Sequence, residues 1–275
     1  MFEEAIIPLD QWVTVFVEWL VDNHREFFQT LKWPIEYMLD GMEQGFNAMH
    51  PGIIIAIACF AAWKFSGKRL AVFTLASMVF IGMLGLWEDT MITMAMVLTS
   101  VIICTLFGVP LGILSGRSDR FEVILRPVLD AMQTTPAFVY LVPIVMLFSV
   151  GNVAGVLATI IFALPPIIRL TSLGIRQVHP ELVEAAQAFG ATRLQVLIKV
   201  QIPLALPTIL AGLNQTIMMA LSMVVIAALI GAGGLGSPVI LGLNTLDIGR
   251  AVVGGIGIVL MAIVLDRITQ AMAKK

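Results

Sequence analysis

Apolar segments long enough to cross a bilayer recur along the chain, and they leave room for few other designs. One of them, 207–230, passes 24 residues without an ionisable side chain. A helix needs about 20 such residues to traverse the hydrocarbon region. Over the whole chain 59% of residues are hydrophobic and 12% are charged, against about 25% charged in soluble domains. A water-soluble fold of that composition would expose large apolar patches. Lipid is therefore the expected solvent. The abundant glycine and proline (23 and 13 residues) agree, since both are commoner in membrane helices than in soluble ones.

Seven spans are expected, making an all-α polytopic membrane protein. The first is 53–65, which borrows 47–51 to reach sufficient length. Then come 70–87, 90–115, 137–150 (drawing on 131–136), 152–170, 207–230 and 249–265. The count drops to six or five if 53–65 or 137–150 does not cross. Pro136 and Pro143 bend the fourth segment. Residues 231–244 are glycine-rich, and read either as a flexible outward turn or as a close-packing site. Asp119 and Glu122 have capping-box spacing, which predicts a short surface helix ending at Asp130.

Residues 1–50 form a separate extracytoplasmic or interfacial region ahead of the membrane domain 51–275. Phe16, Trp19, Leu20, Phe27, Phe28, Leu31, Ile35 and Met38 recur at spacings of three and four, with carboxylates between them. That is an amphipathic helix pattern, which Pro34 is expected to end or kink. Such a helix lies along the bilayer surface with its rings at the lipid; a short soluble cap is the alternative.

Charge sets the orientation. One set of alternate loops holds Lys64, Lys68, Arg69, Arg117, Arg120, Arg126, Arg169, Arg176, Arg193, Lys199, Arg267, Lys274 and Lys275, which is 13 of the 16 basic residues. The other side holds Arg25, Lys32 and Arg250, together with 12 of the 18 carboxylates. Seven spans then leave the N-terminus outside and the C-terminus in the cytoplasm. The start MFEEAIIPLDQW is acidic and lacks the basic stretch of a cleavable signal, so insertion is expected to rely on the mature spans.

Several chemistries find no footing. There is no Gly-x-x-x-x-Gly-Lys-Ser/Thr loop for a nucleotide, no basic tail for nucleic acid, and His24, His50 and His179 are too scattered for a metal cluster. Cys59 and Cys104 lie in apolar runs and read as buried small hydrophobes rather than a disulfide. Inside the spans there is almost no ionisable side chain. Proton- or ion-coupled carriers keep such groups, so the pattern favours a pathway energised elsewhere. An ion-coupled carrier with carbonyl ligands remains the alternative.

The stretch 184–207, EAAQAFGATRLQVLIKVQIPLALP, breaks the apolar series on the basic side. Pro180 suits a first helical position, and Glu181 and Glu184 suit the positive end of a helix. Leu182, Ala185, Ala186 and Phe189 share one face. Gly190 suits a left-handed C-cap. Thr192 and Gln195 have capping-box spacing and start a second short helix. Pro203 and Pro207 mark re-entry into the membrane. This helix–glycine–helix is either a packed loop or a docking knob.

Glu184-Ala185-Ala186, three residues, Gly190, nine residues and then Val200-Gln201-Ile202-Pro203 resembles the EAA signature of permease subunits of binding-protein-dependent ABC importers. Val200 and Ile202 stand where the family has Ile and Leu. The stretches LDAMQTTPAFVYLVP (129–143), FALPPIIRLTSLGIRQV (162–178), LNQTIMMALSMVVIAALIGAGGLG (213–236) and LDRITQ (265–270) are similar to the permeases of glycine betaine/proline and related quaternary-amine importers.

The resemblance implies a type I importer transmembrane fold and a transport subunit that is not itself an enzyme. It implies a second copy of the permease, two cytoplasmic ATPases that use ATP and Mg, and a separate extracytoplasmic binding protein. This chain would bind no cofactor. The cytoplasmic loop 177–203 would be the coupling element that fits a groove in each ATPase, with Glu184, Ala185, Ala186, Gly190 and Pro203 as its matched motif residues. The cargo would be glycine betaine or a relative such as proline betaine, carnitine or choline, with another small solute as the alternative. Phe138 and Tyr140 are candidates for contacting a quaternary ammonium along the path, against a core or lipid-facing reading. The location implied is the prokaryotic cytoplasmic membrane.

Overall fold

The computed structural model describes residues 8–273. Its helices, in chain order, are α1 (Leu9–Ala48), α2 (Pro51–Ser66), α3 (Lys68–Met83), α4 (Trp87–Arg117), α5 (Asp119–Thr134), α6 (Leu141–Phe148), α7 (Asn152–Arg176), α8 (Pro180–Ala188), α9 (Arg193–Val196), α10 (Ile202–Ala227), α11 (Gly236–Thr245) and α12 (Ile248–Ala273).

The fold is organised on α7, along which both α4 and α10 pack. The α4 seam is built from bare positions four residues apart, which fall on one helix face. A Cβ on Gly108 would sit 2.3 Å from Ile167 Cγ2. On Gly112 it would sit 2.7 Å from the Ile168 carbonyl oxygen, and on Gly116 2.9 Å from Ile175 Cβ. Between apolar helices in lipid, close backbone approach supplies the attraction that water would otherwise supply. Gly174 of α7 meets Ala205 and Thr208 of α10 in the same manner. Met96, Val97, Val156, Ile167, Ile168 and Val224 form the sealed interior. α12 packs on α10, the α2–α3 hairpin packs on α12, and α1 crosses α4, α6 and α7.

Among the described residues four helices are long and apolar enough to cross a membrane, or up to six if each of two bent pairs is one span. They contain the segments expected at 90–115, 152–170, 207–230 and 249–265. The expected spans at 53–65 and 70–87 correspond to α2 and α3, each 16 residues, or about 24 Å of helix. The segment expected at 137–150 is broken into a 3-10 turn and the eight-residue α6. It is bent by 94° against α5, where Pro136 has extended dihedrals.

Several local expectations are corrected. α1 passes through Pro34 unbroken, and its non-helical residue is His24. Pro34 deprives the Thr30 carbonyl of its usual donor, but Thr30 is exposed, so the surroundings can supply one. α5 is capped by Ser118, whose Oγ accepts from the Phe121 N–H, and it runs on to Thr134. Asp119 and Glu122 are engaged elsewhere. Within the glycine-rich stretch 231–244, everything from Gly236 is helix α11, and the rest is a close-packing site. Thr93 Oγ1 accepts from the Leu235 N–H at 2.8 Å, and Asn152 Oδ1 accepts from the Gly233 N–H at 2.7 Å while its Nδ2 donates to Glu43 at 3.0 Å. Asp266 and Arg267 do not follow the last span but lie inside α12. There the Asp266 carboxylate accepts from Asn214 of α10 at 3.1 Å. Cys59 and Cys104 are both free thiols. Glu3, Glu4, Lys274 and Lys275, which entered the charge comparison, lie outside the described residues.

Candidate functional site

The C-terminal end of α7 is held before the polar stretch begins. Arg169 donates to Asp130 at 2.6 Å. Arg176 donates to Asp119 at 2.6 Å and to the Ser115 carbonyl at 2.9 Å, and lies 2.7 Å from Glu122. Two arginines of α7 thus clamp α5 across the ends of α4 and α7, beside a cleft of about 330 Å³ that Arg126 also lines. Sequence reasoning treated these residues as loop charges. Their opposite signs across the two flanks of 137–170 were the available signal.

From that fixed end the chain turns at Gln177–His179 into α8, with Pro180 at its first position and Val178 buried beneath it. Pro180 has no N–H to leave unsatisfied there. At the other end the Ala191 N–H bonds to the Ala186 carbonyl at 3.0 Å and the Gly190 N–H to the Gln187 carbonyl at 2.8 Å. Gly190 has φ +83. This is a Schellman close, which needs a left-handed residue, so the glycine at this position has a geometric cause. One residue later Thr192 and Gln195 make the expected reciprocal capping box, at 2.8 and 3.3 Å. The segment is therefore stiff at both helix junctions.

Its apolar face is turned outward. Leu182, Ala185, Leu194 and Ile198 are exposed, and Phe189 is 93% exposed at the tip. Val183 and Gln187 face the body instead, lining a small cleft with Gly116, Arg117, Arg193 and Val196. Glu184 is exposed, and among the described residues no hydrogen bond or ion pair engages its side chain. Leu182 borders a cleft with Gly174, Val178, Leu204 and Thr208, and Ala186 is half-buried, so the segment is seated on the body along one edge and leaves Phe189, Leu194 and Ile198 uncovered.

The second helix is not short. From Arg193 the chain runs as one 38-residue rod to Ile230, passing Pro203 and Pro207 without ending. Accommodation comes from a π-helical turn, Leu197–Gln201, in which the Ile202 N–H reaches back five residues to the Leu197 carbonyl. Proline lacks the N–H of an α-turn and crowds the carbonyl four residues back. A widened turn immediately before Pro203 relieves that crowding. No periodicity in the sequence signals the π turn.

Glu184, Ala185, Ala186 and Gly190 thus share one capped element, and Pro203 stands at the base of the rod that leaves it. Phe138 and Tyr140 belong to another place, the α5–α6 corner. The Tyr140 hydroxyl lies 2.5 Å from the Met132 carbonyl and 2.6 Å from that of Thr135, so it pins the bend. Phe138 is exposed.

Comparison with known proteins places this geometry. Residues 108–275 match the family described as binding-protein-dependent transport system inner membrane component. The glycine betaine/proline betaine transport system permease protein ProW of Escherichia coli (strain K12) is 55% identical over 273 residues, covering 99% of this chain and 77% of that protein. The glycine betaine transport system permease protein OpuAB of Bacillus subtilis (strain 168) is 48% identical over 265 residues, covering 96% and 94%. Among solved structures, a chain of the MetNI methionine ABC transporter in an inward-facing conformation superposes with a TM-score of 0.60 at 22% identity, covering 66% of this chain and 91% of that one. That likeness concerns the fold.

Proposed function

Because the chain belongs to the family of inner-membrane components of binding-protein-dependent transport systems, we propose that it is the permease subunit of an ATP-driven importer of glycine betaine or a related quaternary-amine solute. The observation that carries the mechanistic part of this reading is the outward-facing, doubly capped α8 with Phe189 at its tip. A rigid helix that presents apolar side chains to water is suited to a groove on a partner. The partner proposed is a cytoplasmic ATPase, one for each of two permease copies, and ATP and Mg are used there. Glu184, Ala185, Ala186 and Gly190 form the docking element, and Pro203 stands where it joins α10. Glu184, which has no side-chain partner among the described residues, is free to meet one on the ATPase.

The proposed membrane placement follows from charge. The tip of the α2–α3 hairpin carries Lys64, Lys68 and Arg69, and the ends of α4 and α7 carry Arg117 and Arg176. Placing these in the cytoplasm gives seven crossings when α2, α3 and the bent α5–α6 pair each count as one. The N-terminus is then outside and the C-terminus inside. α1, bent by 105° from Glu26–Ala48 into α2, lies along the outer surface with Trp12, Phe16 and Trp19 exposed to lipid headgroups. The cargo arrives from an extracytoplasmic binding protein. Phe138 and Tyr140 remain candidates for the solute path, with Tyr140 acting through the corner it pins.

The test is uptake of radiolabelled glycine betaine, choline and carnitine into proteoliposomes holding this chain with its ATPase and binding protein. The reading expects uptake that requires ATP and all three components. Uptake by this chain alone, driven by an ion gradient, would overturn it in favour of a secondary carrier.

A further inference from the structure

We propose that the π-helical turn Leu197–Gln201 is the joint at which motion of the coupling segment enters the membrane body. This inference rests on the coupling role proposed above.

The turn separates two bodies. On one side α8 and α9 are locked to each other by the Gly190 close and the Thr192–Gln195 box, and seated through Val196, which is 2% exposed. On the other side Ala205 and Thr208 are wedged against Gly174 of α7, where an added Cβ would meet both Cβ atoms at 3.1 Å. Neither body has slack. The helix between them is its weakest stretch. A π turn holds one more residue than an α turn between the same flanks, and such turns recur at functional sites. Pro203 removes one intrahelical donor beyond it, and Pro207 removes another one turn later. A bend imposed on a long helix falls where its ladder is interrupted. A displacement of α8 therefore emerges as a change of angle between Val196 and Ala205, not as a tilt of the whole rod.

The joint also accounts for a proline following a docking element at fixed distance. Pro203 keeps the ladder from closing into an uninterrupted α-helix, so the soft point stays at the boundary between the coupling segment and the α7-bound part of α10.

Deletion of Lys199 tests this directly. Lys199 is exposed and lies inside the turn, so removing it closes the π turn to α-helical spacing with both flanks in their present register, and leaves only the donors missing at Pro203 and Pro207. In the reconstituted full complex, the deletion variant is expected to assemble and hydrolyse ATP while transporting at least about tenfold less solute per ATP. Pro203→Ala, which restores an N–H without changing chain length, is expected to move the same ratio in the same direction. Spin labels at Leu194 and Ala211, in a background lacking Cys59, read the joint itself: their separation is expected to change on ATP binding in the parent and to stay fixed in the deletion. Unchanged transport per ATP in both the deletion and Pro203→Ala would overturn the proposal, as would an ATP-independent label separation in the parent complex. If the parent complex shows no ATP-driven uptake, the coupling role itself fails, and that outcome is distinct from these.

Discussion

Arg176, in the last turn of α7, reaches Asp119, the first residue of α5, at 2.6 Å, and the same guanidinium holds the Ser115 carbonyl of α4 at 2.9 Å. One side chain thus fastens three helices at the point where the chain leaves for α8. Asp119 is largely exposed, so the ion pair alone is worth at most about 1 kcal/mol. Losing the bond to a backbone carbonyl adds about 1 kcal/mol. Arg176→Ala is therefore expected to lower the unfolding temperature in detergent more than Asp119→Asn does. Arg176→Ala also loses the Glu122 pair at 2.7 Å, so equal effects would mean that neither the carbonyl contact nor that pair contributes.

The α4–α7 seam makes a sharper prediction. A methyl on Gly112 meets the Ile168 carbonyl oxygen at 2.7 Å, and a backbone atom cannot swing aside as a side chain tip can. Gly112→Ala is expected to destabilise the protein by about 1–3 kcal/mol. At Gly41 an added Cβ has nothing within 4 Å, so Gly41→Ala is expected to be neutral or slightly stabilising. Thermal unfolding of the two variants side by side checks the contrast.

Within the coupling segment, structure and docking are expected to separate. Gly190→Ala forces a side chain into φ +83, at about 1–2 kcal/mol, and should loosen α8 before any partner is present. Hydrogen exchange at the amides of 185–191 reads this. The Glu184 side chain has no hydrogen bond or ion pair among the described residues, so Glu184→Gln is expected to leave exchange and stability unchanged, within about 0.5 kcal/mol, while weakening assembly with the ATPase. A stability loss in Glu184→Gln would assign that carboxylate to the loop's own fold.

The placement of α1 is tested by depth. A spin label at Phe16 should be as accessible to a water-soluble relaxant as to oxygen. A label at Leu106, an exposed position within the span α4, should see oxygen alone. Matching profiles would put α1 inside the bilayer.

Much of this architecture is legible in the residues. The four long spans follow from apolar length, and the caps at Gly190 and Thr192 follow from spacing, because each rests on local rules. The misreadings share a cause. Pro34 looks like an end or a kink, and Pro203 like the re-entry point after a short helix, but whether a helix continues through a proline depends on what satisfies the orphaned carbonyl, which is exposed near Pro34 and adjusted by a π turn before Pro203. Asp119 and Glu122 look like a cap, yet a partner 57 residues away, Arg176, takes Asp119, and Ser118 caps instead. The segment 137–150 bends, as its prolines suggest, but the bend is a 94° corner against α5, pinned where Tyr140 bonds back to the end of that helix. In each case the outcome rests on a contact or an exposure that residue spacing alone does not specify, long-range at Asp119 and local elsewhere.

The account turns on which end of the molecule meets the ATPase. Two apolar side chains are almost fully solvent-exposed at opposite ends: Phe189 at the tip of the coupling segment, 93%, and Leu246 at the α11–α12 turn, 88%. Binding of the purified ATPase to the detergent-solubilised chain, measured for Phe189→Asp and Leu246→Asp against the parent, is the most direct test. Loss of binding in Phe189→Asp with parent-like binding in Leu246→Asp is the predicted result. Parent-like binding in Phe189→Asp would contradict the account.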